Sequence, residues 1–241
     1  MNEIQLFNDD CFNIFPDIED KSINLFILDL PFGQISMKWD TPINLEEMWK
    51  HIKRIMKPDA LIIFFCSAKF GYTLIQSNPK WFKYDLIWSK SRKVSFLSAN
   101  RKPLVQHENI YIFKNKQGTY NPQKTKRDKD YKHRGKRSSE EHYGNILECK
   151  KEYKKEDGKH PTSILIYKNP PKPIHRTQKP VDLLEWLIKS YSNEGDTIMD
   201  FTMGSGTCAV ACMNTNRKFI GVEKDEEIYN LAFERIENHK K

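Results

Sequence analysis

Short apolar runs, separated by stretches of helical periodicity, govern what this chain can fold into. Ile4 to Phe7, Ser22 to Leu28, Ala60 to Cys66, Thr197 to Asp200 and Lys218 to Val222 are such runs, bounded by polar or turn residues. Runs this short with little alternation suit strands buried on both faces, as in a parallel sheet. Tyr84 to Trp88 and Asn109 to Phe113 read as two more strands. Helices are expected at Cys11 to Phe15, at Leu45 to Met56 (stopped before Pro58), at Lys69 to Ser77, at Pro180 to Tyr191, and at Thr207 to Thr215. A last helix is expected at Glu226 to Asn238, with an apolar stripe at Ile228, Leu231, Ala232 and Ile236. Strand alternating with helix predicts an α/β fold: a doubly wound, mostly parallel sheet with helices on both faces.

A length of 241 residues suffices for one such domain with an insert. The stretch from Lys114 to Pro173 lacks periodicity, so we expect 1–113 and 174–241 to be two halves of one domain and 114–173 an inserted region. The whole formal charge of +8 resides there: Lys114 to Arg137 holds ten Lys or Arg against Asp128 and Asp130, and the remainder sums to zero. Interleaved with Tyr120, Tyr131, His133 and Tyr143, that segment predicts a polyanion-binding element, with Lys124, Lys126, Arg127, Lys129, Arg134, Lys136 and Arg137 as contact residues. No apolar run approaches the length of a membrane span, no secretory leader is recognisable at Met1-Asn2-Glu3, and a cytoplasmic location is expected. Five cysteines without paired spacing argue against a disulfide framework. Cys208 and Cys212 stand one helical turn apart, with no second Cys or His pair to complete a zinc site; no metal is expected.

Two segments carry the chemistry. The first follows a strand with Asp200-Phe201-Thr202-Met203-Gly204-Ser205-Gly206-Thr207 and leads into a helix, a setting in which glycines let a ligand approach the backbone. Glu223 ends the next strand, at an offset from Asp200 suited to accepting from ribose hydroxyls. The phosphate-loop pattern of nucleotide hydrolases and the third glycine of the dinucleotide fingerprint are both absent. A cofactor with adenine and ribose but no pyrophosphate fits best.

The second segment, Asp29-Leu30-Pro31-Phe32-Gly33, follows the strand ending at Leu28. The lone pair of an exocyclic amine on a nucleobase is delocalised into the ring. Asp29 accepting one N–H, and a main-chain carbonyl of Leu30-Pro31 the other, would aim that lone pair. Phe32 offers a stacking face worth about 1–3 kcal/mol, offsetting part of the cost of extruding a base. No Pro-Cys pair occurs, so the thiolate attack of cytosine C5 methylation has no candidate nucleophile.

In this order, the motifs resemble the beta class of amino-methylating DNA methyltransferases, Rossmann-like enzymes in which the catalytic Asp-Pro-Pro-Tyr motif precedes the cofactor glycines, a circular permutation. Asp29 to Phe32 stands for the catalytic motif, with Leu30 replacing a proline and Phe32 the tyrosine. Asp200 to Thr207 stands for the cofactor loop, with Phe201-Thr202 in place of Pro-Phe. His175-Arg176-Thr177-Gln178-Lys179-Pro180 is similar to the family's His-Pro-Thr-Gln-Lys-Pro, and Asp10-Cys11 to a pair near the cofactor's adenine. Trp39-Asp40 and His107-Glu108 also resemble family landmarks.

The resemblance implies S-adenosylmethionine as cofactor. It would be bound by Asp10, Cys11, Asp29, His175, Thr177, Gln178, Lys179, Asp200, Phe201, Met203, Gly204, Ser205, Gly206, Thr207 and Glu223. It implies double-stranded DNA as substrate, contacted also by Trp39, and it allows a homodimer and a cognate restriction endonuclease as partners. Asp at position 29, where cytosine-N4 enzymes commonly carry Ser, favours adenine N6. Cytosine N4, adenine in RNA, and a silent nucleic-acid-binding subunit are the rival readings.

Overall fold

The structure, a computed structural model, describes residues 3–33, 41–126, 131–132, 152–153, 158–175 and 177–240. Strand β1 (Ile4–Phe7) leads through helix α1 (Cys11–Ile14) and a 3-10 turn (Phe15–Asp17) into β2 (Ile23–Leu28). Helix α2 (Leu45–Ile55), β3 (Met56–Cys66), α3 (Ala68–Ser77), β4 (Phe82–Val94) and β5 (Val105–Lys114) follow. Two short strands, β6 (Tyr131–Lys132) and β7 (Glu152–Tyr153), pair with each other. The chain resumes with β8 (Ile164–Ile166), α4 (Val181–Tyr191), β9 (Thr197–Asp200), α5 (Thr207–Asn214), β10 (Lys218–Val222) and α6 (Glu226–His239).

Eight strands form one sheet in the order β1-β10-β9-β2-β3-β5-β4-β8. Every neighbouring pair is parallel except the two made by β5. The sheet is therefore mostly parallel and carries packed side chains on both faces. Along β3, Leu61, Ile63 and Phe65 pack with Leu183, Leu187 and Ile188 of α4 and with Ala209 of α5. Their alternates Ile62, Phe64 and Cys66 pack with Met48, Trp49 and Ile52 of α2 and with Leu74 of α3. This period of two divides the apolar run into two cores and buries it on both sides. Among the described residues no helix is long and apolar enough to cross a membrane.

Several boundaries differ from those expected. Helix α2 ends at Ile55, and β3 begins at Met56 and passes through Pro58. Proline fits there because the register jumps: Ile23 pairs with Met56 but Leu25 with Leu61, leaving Lys57 to Ala60 outside the ladder. Strands β4 and β5 extend well beyond Trp88 and before Asn109. Ile164–Ile166, inside the stretch expected to be inserted, is a strand on the sheet edge paired with β4. It gave no signal because only Leu165 of its three residues is buried.

The chain divides into two compact units, Met1–Asn121 with Ser163–Lys241, and Pro122–Thr162. The first takes in both flanks of the stretch 114–173. Asn121, for instance, donates from Nδ2 to Ser192 O and Asn193 Oδ1 beyond the end of α4. In the second unit Thr125 and Lys159 form a β-bridge, and Lys124 and Lys126 are exposed. Trp39, Arg127, Lys129, Arg134, Lys136 and Arg137, the other expected nucleic-acid contacts, lie outside the described residues.

Candidate active site

Strands β1, β2, β9 and β10 are adjacent and parallel, so their carboxyl ends open on one edge of the sheet. The loops leaving them enclose a cavity of about 590 Å³, within the range of about 300–1,000 Å³ usual for small-molecule sites. Asp9 to Phe12 line it after β1, Asp29 to Phe32 and Thr41 to Asn44 after β2, Asp200 to Ser205 with Thr207 after β9, and Glu223 to Asp225 after β10. His175, Thr177, Gln178 and Lys179, ahead of α4, close one side.

Both sequence segments thus face one space. Gly204 (φ +54) has room beside it: a Cβ there would meet only Thr202 O, at 3.9 Å. Gly206 (φ +69) lies against α6, where a Cβ would be 3.0 Å from Ile236 and 3.2 Å from Ala232. Left-handed backbone at both positions and close packing at the second explain the glycines. The loop is tied from outside. Glu223 accepts from Gly204 N at 2.8 Å and from Asp225 N at 3.0 Å, and Arg235 donates to Ser205 O and Thr207 Oγ1, both at 2.9 Å. A carboxylate offers about four lone-pair sites, so Glu223 keeps acceptor capacity for a ligand hydroxyl beside these backbone donors.

Burial pushes the Asp200 carboxyl up to about 7; the Thr202 N–H it accepts opposes that push, while Asp29 and Glu223 add to it. Burial likewise raises Glu223 against its two main backbone donors. Asp10 caps α1 by accepting from Phe12 N at 3.0 Å and pairs with Lys224 at 2.9 Å, linking the loops after β1 and β10. Burial, with Asp10 alongside, pushes the Cys11 thiol up to about 12, which leaves it a neutral wall residue. His175 Nδ1 lies 2.9 Å from Thr177 Oγ1, and Gln178 Oε1 accepts from Ile174 N at 2.9 Å.

At the Asp29 end, Lys179 Nζ donates to Asp29 Oδ2 at 2.5 Å and lies 3.3 Å from Glu108 Oε1; Lys90 meets Glu108 Oε2 at 2.5 Å. Two carboxylates and two ammoniums alternate in one row, largely out of solvent. Burial alone would lower Lys179, but Asp29 and Glu108 outweigh it and hold the ammonium charged. Glu108 is lowered by Lys179 and Lys90 in spite of its burial, while burial pushes Asp29 up against the pull of Lys179. Asp29 lines the cavity, and among the described residues its hydrogen bond to Lys179 is made through Oδ2, with none made through Oδ1. The Leu30 side chain is buried in the core, so what it offers the cavity is main chain. Phe32 lines the cavity and is braced by Phe70, with ring centroids 4.8 Å apart.

The sequence placed Lys179 with the cofactor residues. It lines the cavity, yet its ammonium is engaged by Asp29 and Glu108. Lys90, Lys224 and the Thr41 to Asn44 wall gave no signal, because each acts through neighbours far away in sequence. Among the described residues no group of His, Cys, Asp or Glu is arranged to hold a metal ion, and Cys208 and Cys212 are buried helix residues.

The sequence model of the DNA methylase family, which spans N6- and N4-methylating enzymes, matches residues 23–234, most of the chain. The chain belongs to that family. It is therefore a DNA amino-methyltransferase of the N6-adenine or N4-cytosine kind. Among its relatives, Type II methyltransferase M1.MboII of Moraxella bovis is 26% identical over 253 residues, covering 96% of this chain and 95% of that protein. Type II methyltransferase M.HpaI of Haemophilus parainfluenzae is 25% identical over 240 residues, covering 92% and 70%. Two solved structures share the fold. The M1.HpyAVI complex with SAM has a TM-score of 0.65 at 23% identity, covering 96% of this chain and 99% of that one. The cytosine-N4-specific PvuII DNA methyltransferase has a TM-score of 0.68 at 13% identity, covering 99% and 92%.

Proposed function

We propose that this methylase transfers a methyl group from S-adenosylmethionine to N6 of an adenine in double-stranded DNA. The observation that carries the reading is the shared cavity: the glycine loop with Glu223 at one part of its wall, and Asp29, whose bond to Lys179 uses Oδ2, at another. The donor set suits the cofactor. Glu223 can accept from ribose hydroxyls, the loop at Gly204 admits a ligand against the backbone, and Asp10, Cys11, His175, Thr177 and Gln178 complete the wall. When bound, the cofactor supplies an electrophilic methyl on a sulfonium centre.

The protein's own contribution is orientation and proton management. Asp29 Oδ1 accepts one N–H of the amine, a main-chain carbonyl of Leu30-Pro31 takes the other, and the nitrogen lone pair is turned outward. Lys179 holds Asp29 Oδ2 in place and opposes the upward push of burial on that carboxyl. The amine gains a methyl and gives up one proton, for which Asp29 is the adjacent base. Phe32, braced by Phe70, offers ring surface to the extruded base. The unit 122–162, with Lys124 and Lys126 exposed, carries target recognition in this reading.

A cytosine-N4 reading is favoured by the PvuII neighbour, whose name specifies that activity. The carboxylate at position 29 speaks for adenine. Incubation with labelled S-adenosylmethionine and unmethylated duplex DNA, then digestion and weighing of the nucleosides, separates them: N6-methyladenine supports the proposal and N4-methylcytosine ends it. Asp29→Ala should abolish transfer while cofactor affinity stays within a few fold; retained turnover would remove Asp29 from the mechanism.

A further inference from the structure

The hairpin joining β4 to β5 rises from the sheet with a surface the catalytic cavity does not explain. At its tip Phe96 is 66% and Leu97 105% exposed, and Val94 beside them is 48% exposed. The tip is nonetheless a built element. Ser95 takes left-handed backbone (φ 73) before a 3-10 turn (Phe96–Ser98), and Ser98 N, Ala99 N, Arg101 N and Lys102 N each donate to a carbonyl within the tip at 2.9–3.0 Å. Arg92 anchors its base, donating from N to Asn169 Oδ1 at 3.0 Å and from Nη2 to Pro171 O at 3.1 Å. Between Asp85 and Glu108 the chain carries five Lys or Arg and no Asp or Glu. Arg92, Lys93, Arg101 and Lys102 are exposed, and none has a carboxylate in ion-pair reach among the described residues. The zero net charge outside 114–137 conceals this second basic cluster.

Its position is set by topology. Strands β3 and β4 both run antiparallel to β5, so β4 leaves the sheet at the edge where Asp29 ends β2. Lys90 on β4 is joined to Asp29 through Glu108 and Lys179. Val94 lies four residues beyond Lys90, roughly 13 Å along an extended strand, and β4 lies three strand spacings from β2, about 14 Å. An apolar tip bracketed by cations without ion pairs among the described residues thus stands beyond the sheet edge on which the cavity opens.

We propose that this hairpin tip is a DNA-opening element: Phe96 and Leu97 press into the base stack while Lys93, Arg101 and Lys102 hold flanking phosphates. The inference rests on the DNA methyltransferase reading and extends it to a surface outside the cavity. Apolar side chains inserted at a base step offset part of the unstacking cost of extruding a base, and paired cations fix the backbone around the step.

The test uses the whole protein, labelled S-adenosylmethionine, and unmethylated plasmid DNA offered as duplex and after heat denaturation. Phe96→Ser with Leu97→Ser should lower methylation of the duplex at least tenfold, with a several-fold smaller loss on denatured DNA and cofactor affinity within twofold. Lys93→Gln with Arg101→Gln and Lys102→Gln should reduce the slope of log affinity against log salt by about 0.9 for each phosphate no longer neutralised. Duplex methylation within twofold of wild type for the apolar variant, or an equal loss on both substrates, overturns the wedge. So does a fall in oligomeric mass with unchanged DNA affinity, which would make the tip a self-association surface. A wild-type protein without turnover counts against the methyltransferase reading alone; the tip is then judged by duplex affinity, which must fall in both variants.

Discussion

Lys179 Nζ lies 2.5 Å from Asp29 Oδ2, a pairing of residues 150 apart in sequence. Lys179 belongs to the segment before α4 and Asp29 to the loop after β2, so the bond ties together two segments that line the cavity. The Lys179 side chain is only 10% exposed, and Glu108 and Lys90 extend the row behind it. Such a row stabilises little by itself, but it is costly to break from one side, because the partner charge is then stranded.

Lys179→Met is therefore expected to destabilise the fold by roughly 3–5 kcal/mol. For a domain of this size the melting midpoint should drop by on the order of 10 °C. The surviving protein should also show its acidic activity limb moved to higher pH, since Asp29, already pushed up by burial, loses the cation that opposes the push. A pH–rate profile reads this directly, and an unmoved limb would mean that Lys179 braces the structure without tuning Asp29.

Asp200 yields a prediction of the opposite sign. Its folded value of about 7 lies above the ordinary 3.8, so the native state holds a proton that the unfolded chain has released across that window. Stability from this group is present below pH about 4, declines as pH rises toward 7, and declines no further beyond. Asp200→Asn keeps an acceptor for Thr202 N and removes the titration. The advantage of the variant over wild type in guanidinium midpoint should be larger at pH 8 than at pH 5.

The two glycines of the loop after β9 should respond differently to alanine. Gly206→Ala meets both a left-handed backbone and the α6 side chains at 3.0–3.2 Å, and should lower stability by about 2 kcal/mol or more. Gly204→Ala carries only the backbone strain, about 1–2 kcal/mol. Its methyl lies in open space at the cavity, so cofactor affinity, measured by calorimetry, should suffer more than folding does.

Lys124→Gln with Lys126→Gln, both exposed in the unit 122–162, should weaken duplex binding and reduce the salt slope by about 0.9 for each lysine that meets a phosphate. Filter binding across a salt series reads the slope. An unchanged value moves the phosphate contacts off these two side chains.

Read from the sequence, the parallel strands were legible nearly to the residue: Ile4–Phe7, Thr197–Asp200 and Lys218–Val222 stand as the apolar pattern placed them. Burial on both faces writes itself into consecutive positions, and the turn glycines and carboxylates that follow belong to the same local segment. What the chain's own pattern could not carry was anything that depends on distant neighbours. Ile164–Ile166 is a strand only because β4 lies alongside it. Lys90 and Glu108 matter because the register of β4 against β5 sets Trp88 opposite Glu108 and so brings Lys90 within reach of that carboxylate. The pairing of Lys179 with Asp29 forms only when the segment before α4 comes up against the loop after β2. Local periodicity reports which faces are covered, whereas charge pairing, burial of titratable groups and the shape of a cavity are sums over contacts that exist only once the chain has closed on itself.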